Sequence, residues 1–169
     1  LWLVGCSDRP FVGENKETRL VDSLLVTYRD SMAESPRQVI DVFSAARSHL
    51  RDSLCYYRLL SQESRCYYYL NQMDEAFGVN GQVLAYCERN AMADGNRMRL
   101  LLGEAYNNRG VFWQELGRRD SALLSLEKAA EVLDGATPRT SLSSVYINLA
   151  DCYMQEGDYS RCGYYYRRA

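Results

Sequence analysis

The sequence predicts an all-α protein made of antiparallel helix pairs, and three observations lead to that prediction. From Glu17 onward, apolar residues recur with the helical period almost throughout. Residues that form turns are spaced roughly one helix apart, and the alternating pattern of a strand is absent. The segment around Gly117 recurs around Gly157, which indicates an internal repeat of helix pairs.

The expected helices follow a polar tether and are joined by short loops. They span residues 17–32, 36–49, 52–71, 74–89, 96–116, 119–134, 138–156 and 158–169. Because the loops are short, neighbouring helices must run antiparallel. Two segments are typical of helix starts, Ser35-Pro36 with Gln38 and Thr137-Pro138, since a hydroxyl can cap a helix and proline suits its first turn.

A register shift of 40 residues superimposes one helix pair on the next, and a third copy fits upstream. Helices that cross closely need small side chains at the crossing, with bulky ones beside it. The small residues expected at three successive crossings are Ser64 and Ala76, Gly110 and Ala122, and Ala150 and Cys162. Tyr67, Trp113 and Tyr153 are the bulky neighbours. A single pair cannot bury its apolar face alone, so the pairs must stack.

This pattern resembles the tetratricopeptide repeat (TPR) family. Copies beginning at Gly103 and Ser143 match it well, and one beginning at Tyr57 matches in part. The resemblance implies a TPR-like right-handed α-solenoid in which residues 51–169 form three helix pairs, the last of them truncated. Residues 17–50 would form a degenerate N-terminal pair or cap. The copies lie 46 and 40 residues apart, against about 34 in the family, so longer helices or loops are expected.

Composition and motifs argue against an enzyme and against a nucleic-acid-binding protein. The net charge is −2, so no basic excess attracts phosphates. The chain contains no nucleophile elbow, phosphate-binding loop or metalloprotease motif. Its six cysteines lack CxxC spacing, and its one histidine, His49, has no partner at ligand spacing. We therefore expect no metal and no other cofactor.

The TPR resemblance implies a binding groove, because the first helix of each pair in that family lines a concave surface. Transferred position by position, it implies the groove residues Arg58, Gln62, Arg65, Tyr68, Tyr69, Glu104, Asn107, Asn108, Gln114, Asn148, Asp151 and Gln155. Gln62, Asn108 and Asn148 take the same position in successive copies, and a ladder of such amides could hold an extended peptide through its backbone. A side-chain amide can donate to a peptide carbonyl and accept from a peptide N–H. An extended protein segment is the expected ligand, its acidic or C-terminal end near Arg58 and Arg65. Ordinary solvated helix faces are the alternative for each residue.

The N-terminal residues 1–16 suggest a membrane anchor followed by a tether. Leu3-Val4-Gly5-Cys6 resembles the lipobox of bacterial lipoproteins. That resemblance implies a lipid on Cys6 and a location on the periplasmic side of the bacterial envelope. Much of a signal peptide would then precede residue 1. The alternative is an apolar chain end that docks on a neighbour, which would allow a cytoplasmic protein.

Two functions stay open on the sequence alone. The first is a non-catalytic, lipid-anchored TPR scaffold that binds a protein or peptide. The second is an extracytoplasmic sensor module of a larger signalling protein, such as a sensor histidine kinase or a membrane-linked transcriptional regulator. The truncated last helix favours chain beyond residue 169. That last pair could also stack end to end on a second copy.

Two tyrosine-rich segments with a cysteine, at residues 64–71 and 160–168, fall at different positions of the repeat. Their similarity is therefore compositional. Cys162 and Tyr166 are predicted to be packing residues. Cys152 and Cys162 flank one turn, and two small buried thiols are favoured there over a disulfide.

Overall fold

A computed structural model describes residues 15–90 and 95–169. Within these ranges the chain is helical and contains no strand, which confirms the all-α prediction. The helices are α1 (Lys16–Thr27), α2 (Ser31–Glu34), α3 (Pro36–Arg47), α4 (Ser53–Tyr69), α5 (Met73–Arg89), α6 (Gly95–Glu115), α7 (Arg119–Leu133), α8 (Thr140–Glu156) and α9 (Tyr159–Tyr166). None of them is both long and apolar enough to cross a membrane. Cys6 and the predicted lipobox lie outside the described residues.

The helices pack in sequence order. α4 packs on α5, α6 on α7 and α8 on α9, and consecutive pairs meet through α5 with α6 and α7 with α8. The first helices of the pairs also touch in series, α4 with α6 and α6 with α8, so they form one continuous layer. At the N-terminal side, α3 packs on α4 and α1 also reaches α4.

Each of the three helix pairs turns in the same way. The first helix ends just before a residue with left-handed backbone, namely Asn71, Gly117 or Gly157, with φ of 57°, 68° and 77°. Glycine and asparagine adopt this conformation at low cost, and the next amide can then bond a carbonyl five residues earlier. Those bonds run from Gln72 to Tyr67, from Arg118 to Trp113 and from Asp158 to Tyr153, at 2.9, 2.9 and 3.0 Å. The predicted turns at Gly117 and Gly157 are confirmed.

The small residues predicted at the helix crossings are buried. They are Ser64, Ala76, Gly110, Ala122, Ala150 and Cys162. Gly110 shows why size matters, because a Cβ atom added there would lie 2.6 Å from Cγ of Leu126. Leu126 itself is fully buried in a cluster with Val145 and Leu149 of α8, so the crossing cannot easily widen.

One side-chain prediction, two helix boundaries and one predicted helix cap need correction. Tyr166 is exposed rather than packed, and its hydroxyl donates to Asp151, 2.5 Å away. The helix expected over 17–32 ends at Thr27, and the chain turns back through α2 so that Met32 reaches the cluster around Phe43. The helix expected from residue 138 begins at Thr140. α3 begins at Pro36 as predicted, but no side-chain bond from Ser35 caps it.

Polar contacts dock the N-terminal helices onto α4. The carboxylate of Glu17 accepts from the backbone N–H of Asp52 at 2.8 Å and so caps the start of α4. Glu63 of α4, which is 2% exposed, accepts from Nε and Nη2 of Arg47 at 2.7 and 2.8 Å. The Arg47 guanidinium also lies over the ring of Tyr56, 4.8 Å from its centroid. The sequence pattern predicted none of these three contacts.

Candidate binding groove

A groove runs along the layer of first helices and consists of two adjoining cavities. The larger, here the arginine cavity, measures about 850 Å³ and lies between α1, α4, α6 and the start of α8. The smaller, here the amide cavity, measures about 400 Å³ and lies between α4, α6 and α8. Gln62, Arg65, Glu104 and Ser141 line both cavities, so the groove is continuous.

Nine of the twelve residues predicted for the groove line these two cavities. They are Arg58, Gln62, Arg65, Tyr68, Tyr69, Glu104, Asn107, Asn108 and Asn148. Gln114, Asp151 and Gln155 do not line them. Asp151 is instead the acceptor of the Tyr166 hydroxyl, and Gln155 lies exposed near the end of α8.

Charged and apolar side chains both line the arginine cavity. Nη2 of Arg58 lies 2.6 Å from Oδ1 of Asp22 on α1. Nη1 of Arg65 donates to Oε1 of Gln62 at 3.0 Å, and Nη2 of Arg97 donates to Oγ1 of Thr18 at 2.9 Å. The apolar lining comes from Leu25, Val26, Met32, Leu100, Leu101 and Pro138.

Glu104 occupies the junction of the two cavities. Desolvation in the groove raises the pKa of its carboxyl, while the nearby charges of Arg58 and Arg65 and a hydrogen bond with Ser141 oppose that rise. The side chain is only partly accessible to water. A carboxylate held here between two guanidinium groups reduces the positive charge of the groove without removing it.

The amides of the amide cavity already have internal partners. Nδ2 of Asn148 donates to Oδ1 of Asn107 at 2.8 Å, which joins α8 to α6. Asn108 is buried, and its Nδ2 lies 3.5 Å from the carbonyl oxygen of Ser61 on α4. Of the predicted ladder, Asn108 is thus engaged inside the protein and Asn148 is bonded to Asn107. The Asn107–Asn148 pair still has amide N–H groups and carbonyl oxygens with capacity for a ligand.

Aromatic side chains also line the amide cavity. The ring of Tyr68 stacks on Phe112 with centroids 5.5 Å apart, and its hydroxyl donates to Glu115 at 3.4 Å. Tyr69 is 41% exposed, and its hydroxyl accepts from Nη2 of Arg65 at 3.5 Å. An exposed tyrosine beside an arginine is a combination that interfaces often use as an anchor.

Sequence reasoning missed the contribution of α1 and of the start of α6. Asp22 and Thr18 lie on α1, whose segment matched no repeat position, so nothing marked it as a groove wall. Arg97 lies six residues before the repeat copy that begins at Gly103. The repeat spacing of 46 residues was the available signal, because it predicted a lengthened helix, and α6 has 21 residues against 17 in α4.

The described cysteines are free, buried thiols. Burial raises the pKa of Cys66 and Cys87 to about 12 and that of Cys152 to about 11. At neutral pH these thiols stay protonated and are poor nucleophiles. Within residues 15–90 and 95–169, no group of three or more His, Cys, Asp or Glu side chains is placed to hold a metal ion.

A third cavity, here the outer cavity, lies between α6 and α7 away from the groove. It measures about 570 Å³ and is lined by residues that include Met98, Tyr106, Lys128 and Val132. The ammonium of Lys128 lies 5.7 Å from the centroid of the Tyr106 ring. None of the predicted groove residues lines this cavity.

No protein-family model matches the chain, and the curated proteins likewise give no match.

Proposed function

We propose that this chain is a non-catalytic binding module that holds an extended protein segment in the groove of α4, α6 and α8. The observation that carries the proposal is the convergence of nine predicted residues on two cavities that share one lining. An extended segment needs a continuous concave track with polar groups for its backbone and pockets for its side chains. The joined cavities offer both.

A TPR-like arrangement of the helix pairs is part of this proposal. Its support is local: the repeated left-handed turns at Asn71, Gly117 and Gly157, and the close crossing at Gly110. Contacts between the first helices of successive pairs also support it. The family resemblance of the sequence would then account for why the groove residues fall on first helices.

A lipid on Cys6 and a place in the bacterial envelope stay predictions of the N-terminal sequence. A lipid anchor would keep the groove close to the membrane, beyond a tether that ends near residue 16. The same groove would serve a free-standing scaffold or the sensor module of a larger signalling protein. Intact-mass analysis of the protein from its native membrane would reveal a lipid on Cys6 or its absence.

A peptide selection followed by a matched pair of variants tests the binding proposal. Random peptides displayed on phage would be selected on the purified protein, and the affinity of a selected peptide measured by calorimetry. Asn107→Ala with Asn148→Ala should weaken it about tenfold or more, since two hydrogen bonds are worth about 1–3 kcal/mol. Gln82→Ala removes an exposed amide from α5 and should change nothing. Equal affinity in both variants would refute this groove as the peptide site.

A further inference from the structure

The arginine cavity carries an excess of positive charge in a chain whose net charge is negative. Its charged lining groups are the arginines Arg29, Arg58, Arg65 and Arg97 and the carboxylates Asp22 and Glu104. The local excess is thus two positive charges, while the whole chain carries −2. A recess with a net positive charge attracts anions more strongly than the rest of the surface does.

Only one of these arginines is held by an ion pair among the described residues, and that pair is weak. Asp22 of α1 contacts Arg58, but its side chain is 44% exposed and that of Arg58 is 24% exposed. Pairs so open to water contribute little to stability. Arg65 and Arg97 donate to the neutral oxygens of Gln62 and Thr18. The charge of these guanidinium groups is therefore only partly offset, by the Asp22 carboxylate at Arg58 and by the Glu104 carboxylate near Arg58 and Arg65.

Apolar side chains lie beside these cations. Leu25 of α1 and Leu100 and Leu101 of α6 line the same cavity. A small inorganic anion would leave this apolar lining unused, whereas an amphipathic carboxylate would contact both surfaces. The cavity of about 850 Å³ is also far larger than a lone carboxylate needs.

We propose that the arginine cavity binds the carboxylate of an amphipathic ligand, which replaces Asp22 as the partner of Arg58 while an apolar group lies against Leu25 and Leu100. This inference rests on the proposed function, because the cavity continues into the amide cavity and would hold one end of the same ligand. It adds that the ligand is an anion and that α1 supplies the internal competitor. Arg65 and Arg97 bind the carboxylate together with Arg58.

Titration with hexanoate tests the carboxylate subsite directly. The arginine Nε–Hε signals would be followed by NMR, with hexanamide as the uncharged probe of equal length. Hexanoate should shift the signals of Arg58, Arg65 and Arg97 with saturation, and hexanamide should not. Arg65→Gln with Arg97→Gln should weaken hexanoate binding about tenfold, because each substitution removes a charge-assisted hydrogen bond to the carboxylate. Arg118→Gln, at the exposed start of α7, is the matched control and should bind as the wild type does.

The Asp22→Asn variant tests whether Asp22 competes with the ligand for Arg58 or itself binds the ligand. If Asp22 occupies the place of the ligand carboxylate, the variant should bind hexanoate several-fold more tightly. Equal shifts with hexanamide, unchanged binding in the double arginine variant, or weaker binding in Asp22→Asn would each overturn the proposal.

Two peptides identify the source of the carboxylate and separate this inference from the proposed function. They are acetyl-Ser-Ser-Leu-Leu with a free C-terminus and the same peptide as an amide. A preference for the peptide with the free C-terminus indicates that the ligand carboxylate is the C-terminal end of a protein chain. Hexanoate binding without peptide binding indicates a free small carboxylic acid, which would keep the inference and refute the proposed function. Selected peptides that depend on Asn107 and Asn148, without any hexanoate shift, would refute the inference alone.

Discussion

The helix pairs α4–α5 and α6–α7 share one repeat pattern but bury different chemistry. Both turn through a left-handed residue, Asn71 or Gly117. Where α7 places the fully buried Leu126, α5 places Asn80, which is 1% exposed. α4 in addition buries the carboxylate of Glu63.

The difference separates two kinds of repeat position. Some positions serve the packing of two helices within a pair, and others contact the neighbouring helices. Small residues at the crossing recur in both pairs because the close approach of two helices demands them. The buried polar groups of α4–α5 point to adjacent elements instead. Glu63 binds Arg47 of α3, and Nδ2 of Asn80 donates to the carbonyl oxygen of Ala105 on α6 at 2.9 Å. The α4–α5 pair is therefore the polar junction between the N-terminal helices and the rest.

Arg47→Met should break this junction with the largest effect on stability. It leaves the Glu63 carboxylate buried without its partner, and such losses cost about 3–5 kcal/mol. Burial raises the pKa of Glu63 and Arg47 opposes that rise, so the variant should raise that pKa further. A raised pKa in the folded state means that stability falls as pH rises through it. Urea denaturation should therefore show that the variant loses less unfolding free energy, relative to wild type, near about pH 5 than near about pH 8.

Arg47→Met with Glu63→Leu is the control for that experiment. Replacing both partners with apolar groups removes the unpaired charge, so most of the lost stability should return. A cost below about 1 kcal/mol for the single variant, within the range of exposed ion pairs, would contradict a buried junction.

Two glycine substitutions of the same kind compare the helix pairs directly. In Gly110→Ala the new Cβ would lie 2.6 Å from Cγ of Leu126, and overpacking of this sort costs about 1–3 kcal/mol. In Gly78→Ala, on α5, the Cβ meets no atom within 4 Å. That variant should gain about 0.5–1 kcal/mol from helix propensity. Thermal and urea unfolding of both proteins measure the contrast, and effects of equal sign would show that the α6–α7 crossing is loose.

Asn80→Leu gives α5 the residue type that α7 carries at the matching position. Oδ1 of Asn80 is buried without a hydrogen-bond partner among the described residues, so the change removes an unsatisfied polar group along with one bond to Ala105. We expect no loss, or a gain of about 1 kcal/mol, on urea denaturation. Asn80→Ala should instead destabilise, since it leaves a cavity. A large loss with leucine would show that the Asn80–Ala105 bond is what orients α5 on α6.

Glu104→Gln should have the smallest effect, which appears as a change in how the free energy of unfolding depends on pH. Because desolvation raises the pKa of Glu104, the folded protein keeps this proton to higher pH than the unfolded chain does. Its contribution to stability thus falls as pH rises through the folded-state pKa. The stability of Glu104→Gln relative to wild type should rise between about pH 5 and about pH 8. Glu127→Gln, which changes an exposed carboxylate on α7, is the matched control.

The sequence predicted what depends on local pattern and missed what depends on contacts between distant segments. Helix turns at Gly117 and Gly157 and small residues at the crossings recur at fixed spacing in the sequence, so they can be recognised there. The Asp22–Arg58 contact joins residues 36 positions apart, and no periodicity relates α1 to α4. The groove was predicted to carry a ladder of amides at Gln62, Asn108 and Asn148, but Asn108 turns toward Ser61 because the close approach of α6 to α4 buries it.

Intermolecular NOEs between the protein and a selected peptide test the central claim most directly. If the groove of α4, α6 and α8 is the binding site, one peptide should contact Arg65 and Asn148 simultaneously, since these residues line the same continuous cavity. Contacts confined to Tyr106 and Val132 would place binding in the outer cavity and contradict the account.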